Sequence, residues 1–476
     1  MTLVMKFGGT SVGSAAAIKG TASLIGHSVQ DHGQIVVVSS GMGSKPVKVT
    51  DLLLQGAQAA LNGQGAAFRQ VADTLRHVHH DAIDELLSPE KERQRILSAI
   101  NEFVDRFVAL CEAVLVLGEL TPRALDAIAG MGEQMSVRIL AAYLRERGYQ
   151  AEAIDATELI LTDNNFMAAT PIIDETNRRI QARLTPLLEA GVIPVVTGFI
   201  GSTQDGITTT LGRGGSDFSA AILGQALEAE EVWIWTDVDG VLSADPRMVP
   251  EARTISRLTN REISELAYYG ARVLHPKTIR PVLERNIPLR IKNTFNPEHP
   301  GTVVVQDSEG GEGKIKAVTA IKDLSLVTVE GKGMMGVPGI AARTFGAVAR
   351  QQVSVLLISQ ASSEQSICFS IPRGQIEQVV AGLEKEFAVE LGRRDIERIY
   401  AQHPVAIVTI VGAGMRGTPG IAGKIFGVLG QAGINIIAIA QGSSECSISL
   451  VVEAEETLSA VRHIHRLIIG ELAHQN

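Results

Sequence analysis

Two stretches of this 476-residue chain are near copies of one another. GMMGVPGIAARTFG at 333–346 returns as GMRGTPGIAGKIFG at 414–427, and QASSE at 360–364 returns as QGSSE at 441–445. The two pairs have the same offset, 414 minus 333 and 441 minus 360, so the copies keep register from the glycine turn to the later loop. Self-similarity at a fixed spacing means two copies of one small fold. Each copy reads as strand, glycine turn, helix, strand, turn, strand, helix, the split βαβ order. The first copy is expected to end on a strand near 388–391. The second runs into a final helix at 458–467, and an unassigned strand at 315–321 precedes the first. Our expectation is that this early strand completes the sheet of the second copy, nesting one module in the other.

The chain before the repeat follows a different rule. An apolar strand pattern at 3–7 runs into GGTSVG at 8–13 and then a helical stretch, and QIVVVSSG at 34–41 repeats the order. Its unbroken β-branched run predicts a parallel strand covered on both faces. Residues 56–118 have few glycines and apolar spacings of three and four, predicting a helical insertion. There His77, His80 and Asp84 share a helix face, but no second ligand pair completes a metal set, and a solvated face is the preferred reading. Strand and helix alternation resumes at 191–198 and 231–236, so one α/β domain is expected over 1–305, with 293–313 as the linker. The repeat then divides into modules at 314–395 and 396–476, which agrees with about three domains for this length.

Charge and composition narrow the partners. Forty-three Lys and Arg against fifty-two Asp and Glu give −9, with 4% aromatics and no dense basic run. This argues against nucleic acid as the main partner. Apolar runs fall short of the ~18 residues of a membrane span. Cys111, Cys368 and Cys446 form no disulfide framework or metal pattern. No signal sequence is expected before them, and the expected location is the cytoplasm.

Four motifs carry candidate chemistry. Lys6-Phe-Gly-Gly-Thr-Ser11 sets a cation at a strand end beside bare amides at a helix entrance. That combination suits a polyphosphate; an ordinary glycine turn is the other reading. In the stretch from Thr208 to Asp217, Arg213 suits a bidentate pair with a substrate carboxylate, while Asp217 is equally placed to cap a helix. The acids between Trp235 and Arg247 lie at a strand end where open sheets bind ligands, or build a solvated hairpin. Both repeat copies contain G-x-G-x-x-G (Gly331, Gly333, Gly336; Gly412, Gly414, Gly417). The second copy lacks the acid a dinucleotide site needs, and each module is too small for half of such a fold. A backbone nest for a carboxylate and a tight turn both remain open.

Taken together and in this order, KFGGTSV, TTLGRGGSDFSAAILG, WTDVDGV with DPR, GARVLHPKTI and the tandem repeat resemble the aspartokinases of the amino acid kinase family. The resemblance covers nearly the whole chain. It implies an α/β architecture: a three-layer amino acid kinase fold with a mainly parallel central sheet, followed by two ferredoxin-like ACT modules. It implies phosphorylation of the L-aspartate side-chain carboxylate by ATP with Mg²⁺, with no covalent enzyme intermediate. Position by position, Lys6 is implied to stabilise the transferring phosphoryl group and Asp217 to orient that lysine. Gly8, Gly9 and Thr10 would line the ATP phosphates, with Thr236, Asp237, Asp245 and Arg247 as further nucleotide contacts. Thr50 would bind aspartate, Glu133 its α-amino group, and Arg213 with Ser216 its carboxylate. No residue is implied to be a direct metal ligand. Two positions depart from the family pattern. Arg272 stands where a nucleotide-contacting lysine is usual, with Lys277 nearby, and Leu242 replaces a tyrosine common near the adenine.

LISQASSE and AIAQGSSE resemble in particular the aspartokinase part of bifunctional aspartokinase/homoserine dehydrogenases, and no dehydrogenase part is expected in this chain. That likeness implies threonine binding at Gln360 and Gln441 and feedback inhibition, with lysine as the alternative effector. It also implies a homodimer or higher homo-oligomer assembled through the ACT modules.

Overall fold

The computed structural model describes residues 2–44, 47–88, 90–270, 274, 276–306, 315–361 and 363–473. They form two compact units, one of 1–241, 256–260 and 273–306, the other of 242–255, 261–272 and 307–476.

The first unit opens with β1 (Thr2–Phe7), α1 (Ala15–His32) and β2 (Gln34–Ser39). Leu3, Val4, Met5 and Phe7 in β1 and the run Ile35 to Val38 in β2 are buried, as strands covered on both faces require. Ser14 caps α1 by accepting from the Ala17 amide, and Gly33, at positive φ, ends it. After the short pair β3 (Gly43–Ser44) and β4 (Val47–Lys48) come α2 (Val49–Leu61), α3 (Gly65–Leu86) and α4 (Glu90–Leu117). These are the expected helices, and they bury Leu53, Phe68, Leu75, Ile100 and Phe107. A Cβ at Gly56 would lie 2.5 Å from the Phe107 ring, so only glycine lets α2 come this close to α4. His77 contacts Asp81, His80 contacts Asn101, and Asp84 contacts Arg93, so the side chains of the candidate metal face are turned to separate partners.

The sheet continues through α5 (Pro122–Ala129), α6 (Met131–Glu146), β5 (Ala151–Ile154), α7 (Ile173–Glu189) and β6 (Ile193–Thr197). The hairpin β7 (Ile200–Ser202) and β8 (Thr208–Thr210) leads to α8 (Gly215–Ala226) and β9 (Glu231–Thr236). Then follow β10 (Arg257–Thr259), α9 (Asn260–Tyr268), α10 (Pro276–Glu284), β11 (Leu289–Asn293) and β12 (Thr302–Val305). β12 lies inside the stretch expected as linker; its Thr-Val-Val-Val run is β-branched and pairs with both β10 and β11. Among the described residues the main sheet has the order β10-β12-β11-β9-β1-β2-β6-β5, parallel except where β11 meets β12. The chain leaves β1 toward β2 and later returns on the other side at β9. The carboxyl ends of β1 and β9 therefore border a topological switch point, where open α/β sheets take ligands.

The second unit contains β13 (Ala317–Glu330), α11 (Ile340–Arg350), β14 (Leu357–Gln360), β15 (Ser366–Pro372), α12 (Ile376–Glu386) and α13 (Ala388–Arg393). β16 (Arg398–Val411), α14 (Ile421–Gln431), β17 (Ala438–Gln441), β18 (Ser447–Glu453) and α15 (Thr457–Ala473) repeat the order. The long strands β13 and β16 are shared. Ala317 to Ile321 pair with Ile407 to Val411, beside β18, whereas Leu324 to Glu330 pair with β15 and with the start of β16. A register shift between Ile321 and Leu324 separates the two halves. The modules are nested as the early strand predicts.

The strand expected at 388–391 is instead the helix α13. Val389 is the one β-branched residue in it, and Glu386 at the end of α12 and Glu390 in α13 both bind Arg343. The edge that strand would have filled is taken by Arg398 to Gln402. Each module has its own core, around Val348, Phe369 and Leu383 in the first and around Ile425, Leu450 and Ile464 in the second. Ala244 and Val249 from the segment 242–255 pack into the second core.

Candidate active site

Lys6 is the penultimate residue of β1, between Val38 of β2 and Ile234 of β9. Its ammonium lies 2.6 Å from Asp217 Oδ1, and both side chains are nearly buried. Asp217 sits in the first turn of α8, whose start is set by Gly212 and Gly214, both in the left-handed region. The helix entrance thus aims backbone amides and their positive dipole end at the place where Lys6 ends.

These groups line a cavity of about 440 Å³ together with Ser40, Thr50, Glu133, Met167, Phe199, Thr210, Arg213 and Ser216. Ser40 donates to Ser216 across 3.0 Å, tying the end of β2 to the start of α8. This closeness depends on Gly198 after β6: a Cβ there would stand 2.6 Å from the Ser216 Cβ. Glu133, in the first turn of α6, is 4% exposed and accepts from the Gly41 amide through Oε1 at 3.1 Å. Its Oε2 is buried without a hydrogen-bond partner among the described residues. Burial pushes the carboxyl up to about 7, while the Gly41 amide and the Lys6 charge pull the other way. Arg213 is exposed at the mouth, with no carboxylate partner among the described residues. The cavity therefore offers a guanidinium, a carboxylate ready for a cation and a lysine-plus-helix site for anionic oxygens.

The expected nucleotide residues are distributed more widely. Gly8 and Gly9 turn the chain out of β1; the Gly8 amide donates to Trp235 O, and a Cβ on Gly9 would stand 3.0 Å from Gly41 O. Thr10 and Asp237 line a neighbouring concavity of about 430 Å³ with Ser14, Thr294 and Phe295. Thr236 ends β9 beside it and donates to Asp237. Asp245 and Arg247 are in the second unit, in a bidentate pair with each other at 2.6 to 3.2 Å. Arg272 lies outside the described residues.

In the second unit, Gln360 ends β14 and lines a cavity of about 270 Å³ with Gly336, Pro338, Ile340 and Glu364. Gln441 ends β17 at the matching position. Of the two readings of the repeated glycines, the tight turn is seen in the first copy. Gly331 and Gly333 are tight turns, where a Cβ would come within 2.5 Å of the 395–396 backbone. The third glycine amide of each copy meets a carboxylate of its own module: Gly336 donates to Glu364 at 2.9 Å and Gly417 to Glu445 at 2.8 Å.

Sequence reading missed Ser40, Met167, Phe199 and Thr210 as cavity walls. Ser40 stands in the glycine-terminated strand end already singled out, which was the available signal. Met167 and Phe199 carry none: they are ordinary residues held at positive φ by their surroundings.

Comparison with known proteins places the geometry in context. Residues 1–293 match the amino acid kinase family, and 327–387 and 408–467 match the ACT domain. The chain is 37% identical over 470 residues to bifunctional aspartokinase/homoserine dehydrogenase 1, chloroplastic, of Zea mays, covering 98% of this chain and 50% of that protein. It is 34% identical over 480 residues to aspartokinase 3, chloroplastic, of Arabidopsis thaliana, covering 98% and 81%. The chain spans about half the length of the bifunctional relatives it matches. Among solved structures, E. coli aspartokinase III in complex with aspartate and ADP superposes with a TM-score of 0.79 at 29% identity, over 98% of this chain and 99% of that one.

Proposed function

This chain belongs to the amino acid kinase family, and from that premise we propose that it transfers the γ-phosphoryl group of ATP to the side-chain carboxylate of L-aspartate. The products are 4-phospho-L-aspartate and ADP, the first step toward lysine, threonine and methionine. The observation that carries this reading is one cavity in which the Lys6–Asp217 pair, buried Glu133 and Arg213 converge.

The chemistry explains the residue types. The attacking group is already an anion, so no general base is needed; the obstacle is repulsion between a carboxylate and a triphosphate. Arg213 holds the α-carboxylate with Ser216, Glu133 takes the α-ammonium, and Thr50 borders the same space. The side-chain carboxylate is thereby directed toward Lys6. As a carboxylate oxygen bonds to the γ-phosphorus, the bond to the ADP oxygen breaks. The Lys6 ammonium, held by Asp217, and the α8 amides neutralise charge on the migrating group. The glycine turn at Gly8 and Gly9 suits the phosphates, with Thr10, Thr236 and Asp237 alongside; the family likeness adds Asp245, Arg247 and Arg272 as nucleotide contacts. Mg²⁺ would enter bound to the nucleotide phosphates and supply the remaining neutralisation. Among the described residues no group of three metal-ligating side chains stands together.

Threonine is the proposed feedback effector, held at Gln360 and Gln441. Support comes from the cavity at Gln360 and from the likeness to bifunctional relatives; lysine is the alternative, since E. coli aspartokinase III is known in complex with lysine and aspartate. Pairing of ACT modules between copies of the chain would let an effector that binds one state better shift the kinase site. The absence of a disulfide at Cys111, Cys368 and Cys446 among the described residues supports a reducing compartment such as the cytoplasm, and no helix among those residues is long and apolar enough to cross a membrane.

Incubating the protein with aspartate, ATP, Mg²⁺ and hydroxylamine tests the reaction: an acyl phosphate is trapped as the hydroxamate. Lys6→Ala is expected to lower kcat by about 10²–10³ while circular dichroism stays unchanged. No hydroxamate from the parent protein would remove the proposal.

A further inference from the structure

Asp126, on α5, is 0% exposed and does not line the cavity, yet its carboxylate accepts four hydrogen bonds from two of the cavity's walls. The Met167 amide donates to both oxygens, at 3.1 and 3.0 Å. The Thr210 amide donates to Oδ2 at 3.0 Å and the Thr210 hydroxyl to Oδ1 at 2.6 Å. Both partners line the cavity. Met167 sits in the left-handed region, a conformation that a side chain of this size adopts only when its surroundings impose it. Thr210 leads directly toward Arg213, and Gly212 between them lies against the Met167 carbonyl, where a Cβ would come within 3.1 Å. The Ala169 amide closes the arrangement on Thr210 O at 2.9 Å.

We propose that Asp126 is a positioning residue for the acceptor pocket: by binding the Met167 and Thr210 walls at once, it fixes the loop that presents Arg213 to the substrate carboxylate. A carboxylate suits this task because it accepts on both oxygens, whereas an asparagine of the same shape turns an NH₂ toward donors that it cannot satisfy. The Lys6 and Gly8 side of the site receives no bond from Asp126, so the effect is confined to the acceptor. This inference rests on aspartate being the phosphoryl acceptor.

The test is Asp126→Asn in the full chain, with Thr210→Val as a milder variant that removes one of the four bonds. For Asp126→Asn the KM for aspartate rises at least tenfold and the KM for ATP stays within twofold, with an unchanged circular dichroism spectrum; Thr210→Val shifts the same constant less. Amide hydrogen exchange, which needs no activity, accelerates at least tenfold over 163–170 and 208–214 in Asp126→Asn and not over 2–8. An unchanged KM for aspartate in folded Asp126→Asn overturns the proposal. So does a parallel loss for both substrates together with a lowered melting temperature, which would mark a merely structural role. If the parent protein consumes no ATP with aspartate, the functional reading fails, while the exchange measurement still reports on the clamp.

Discussion

Glu133 is a carboxylate held away from water with one oxygen bonded to the Gly41 amide and the other without a hydrogen-bond partner among the described residues. Its pKa is raised from 4.5 to about 7, chiefly by burial. A raised acid is stabilising in its protonated form, so this group's contribution to folding is full below about pH 4.5 and is lost as pH rises through about 7. That loss is on the order of 3 kcal/mol in the empty protein. A ligand ammonium reverses the balance, because it pairs with the ionised form and draws the pKa down. Aspartate binding at pH 6 is therefore expected to release close to one proton, and at pH 8.5 almost none. Calorimetry in buffers of differing ionisation enthalpy measures this directly. The KM for aspartate should correspondingly climb toward tenfold per pH unit below about 7, and Glu133→Gln should weaken binding and flatten that dependence. A binding reaction with no proton exchange at pH 6 would take the ammonium role away from Glu133.

At the level of elements, the site depends on how closely α8 approaches the ends of β2 and β6. The approach is possible because Gly198 lacks a side chain: a Cβ would stand 2.6 Å from the Ser216 Cβ and 2.9 Å from its Cα. The obstructing atoms include helix backbone, which cannot swing aside as a flexible side chain would. Gly198→Ala should therefore displace the first turn of α8, and with it Ser216 and Asp217. We expect a destabilisation of about 1–3 kcal/mol and a loss of hydroxamate formation larger than the drop in folded fraction. Full activity with an unshifted melting temperature would show that the helix entrance tolerates movement. The same first turn positions Asp217 against Lys6, so one steric change should disturb both the acceptor and the phosphoryl sides.

For the molecule as a whole, the nested strands decide what can fold alone. The fragment 396–476 keeps β16 and β18 but leaves Ile407 to Val411 without the β13 segment that pairs with them, exposing a long apolar edge. It is expected to aggregate or show no cooperative melt, whereas 315–473 should unfold as one transition by circular dichroism. A stable, monomeric 396–476 would contradict the nesting. The chain also passes between the two units at 241/242, 255/256, 260/261, 272/273 and 306/307. The segment 261–272 is anchored in the second unit by Glu262, buried at 0% exposure, which binds Lys316 at 2.9 Å and accepts from the Ala413 amide at 2.7 Å. Because that segment continues directly from β10, a change at the second-copy glycine turn has a covalent route back to the main sheet.

Local pattern and short motif were enough to read the parallel strands at 3–7 and 34–39, the helical insertion and the tandem modules and to single out Lys6, Arg213 and Asp217, because those features depend on residue type and spacing along the chain; Glu133 is implied only by the family resemblance. The helix at 388–393 is not legible in the same way, since its state is set by Arg343, far earlier in the chain, and by the arrival of β16 at the open edge. Asp126, Met167 and Phe199 have no motif at all: a buried carboxylate in a short helix and two left-handed residues become informative only once distant segments are brought within hydrogen-bonding distance. Chain order supplied the chemical groups, and tertiary packing supplied their separations, burial and ionisation, which is why the walls of the pocket and the pKa of Glu133 belong to the folded molecule alone.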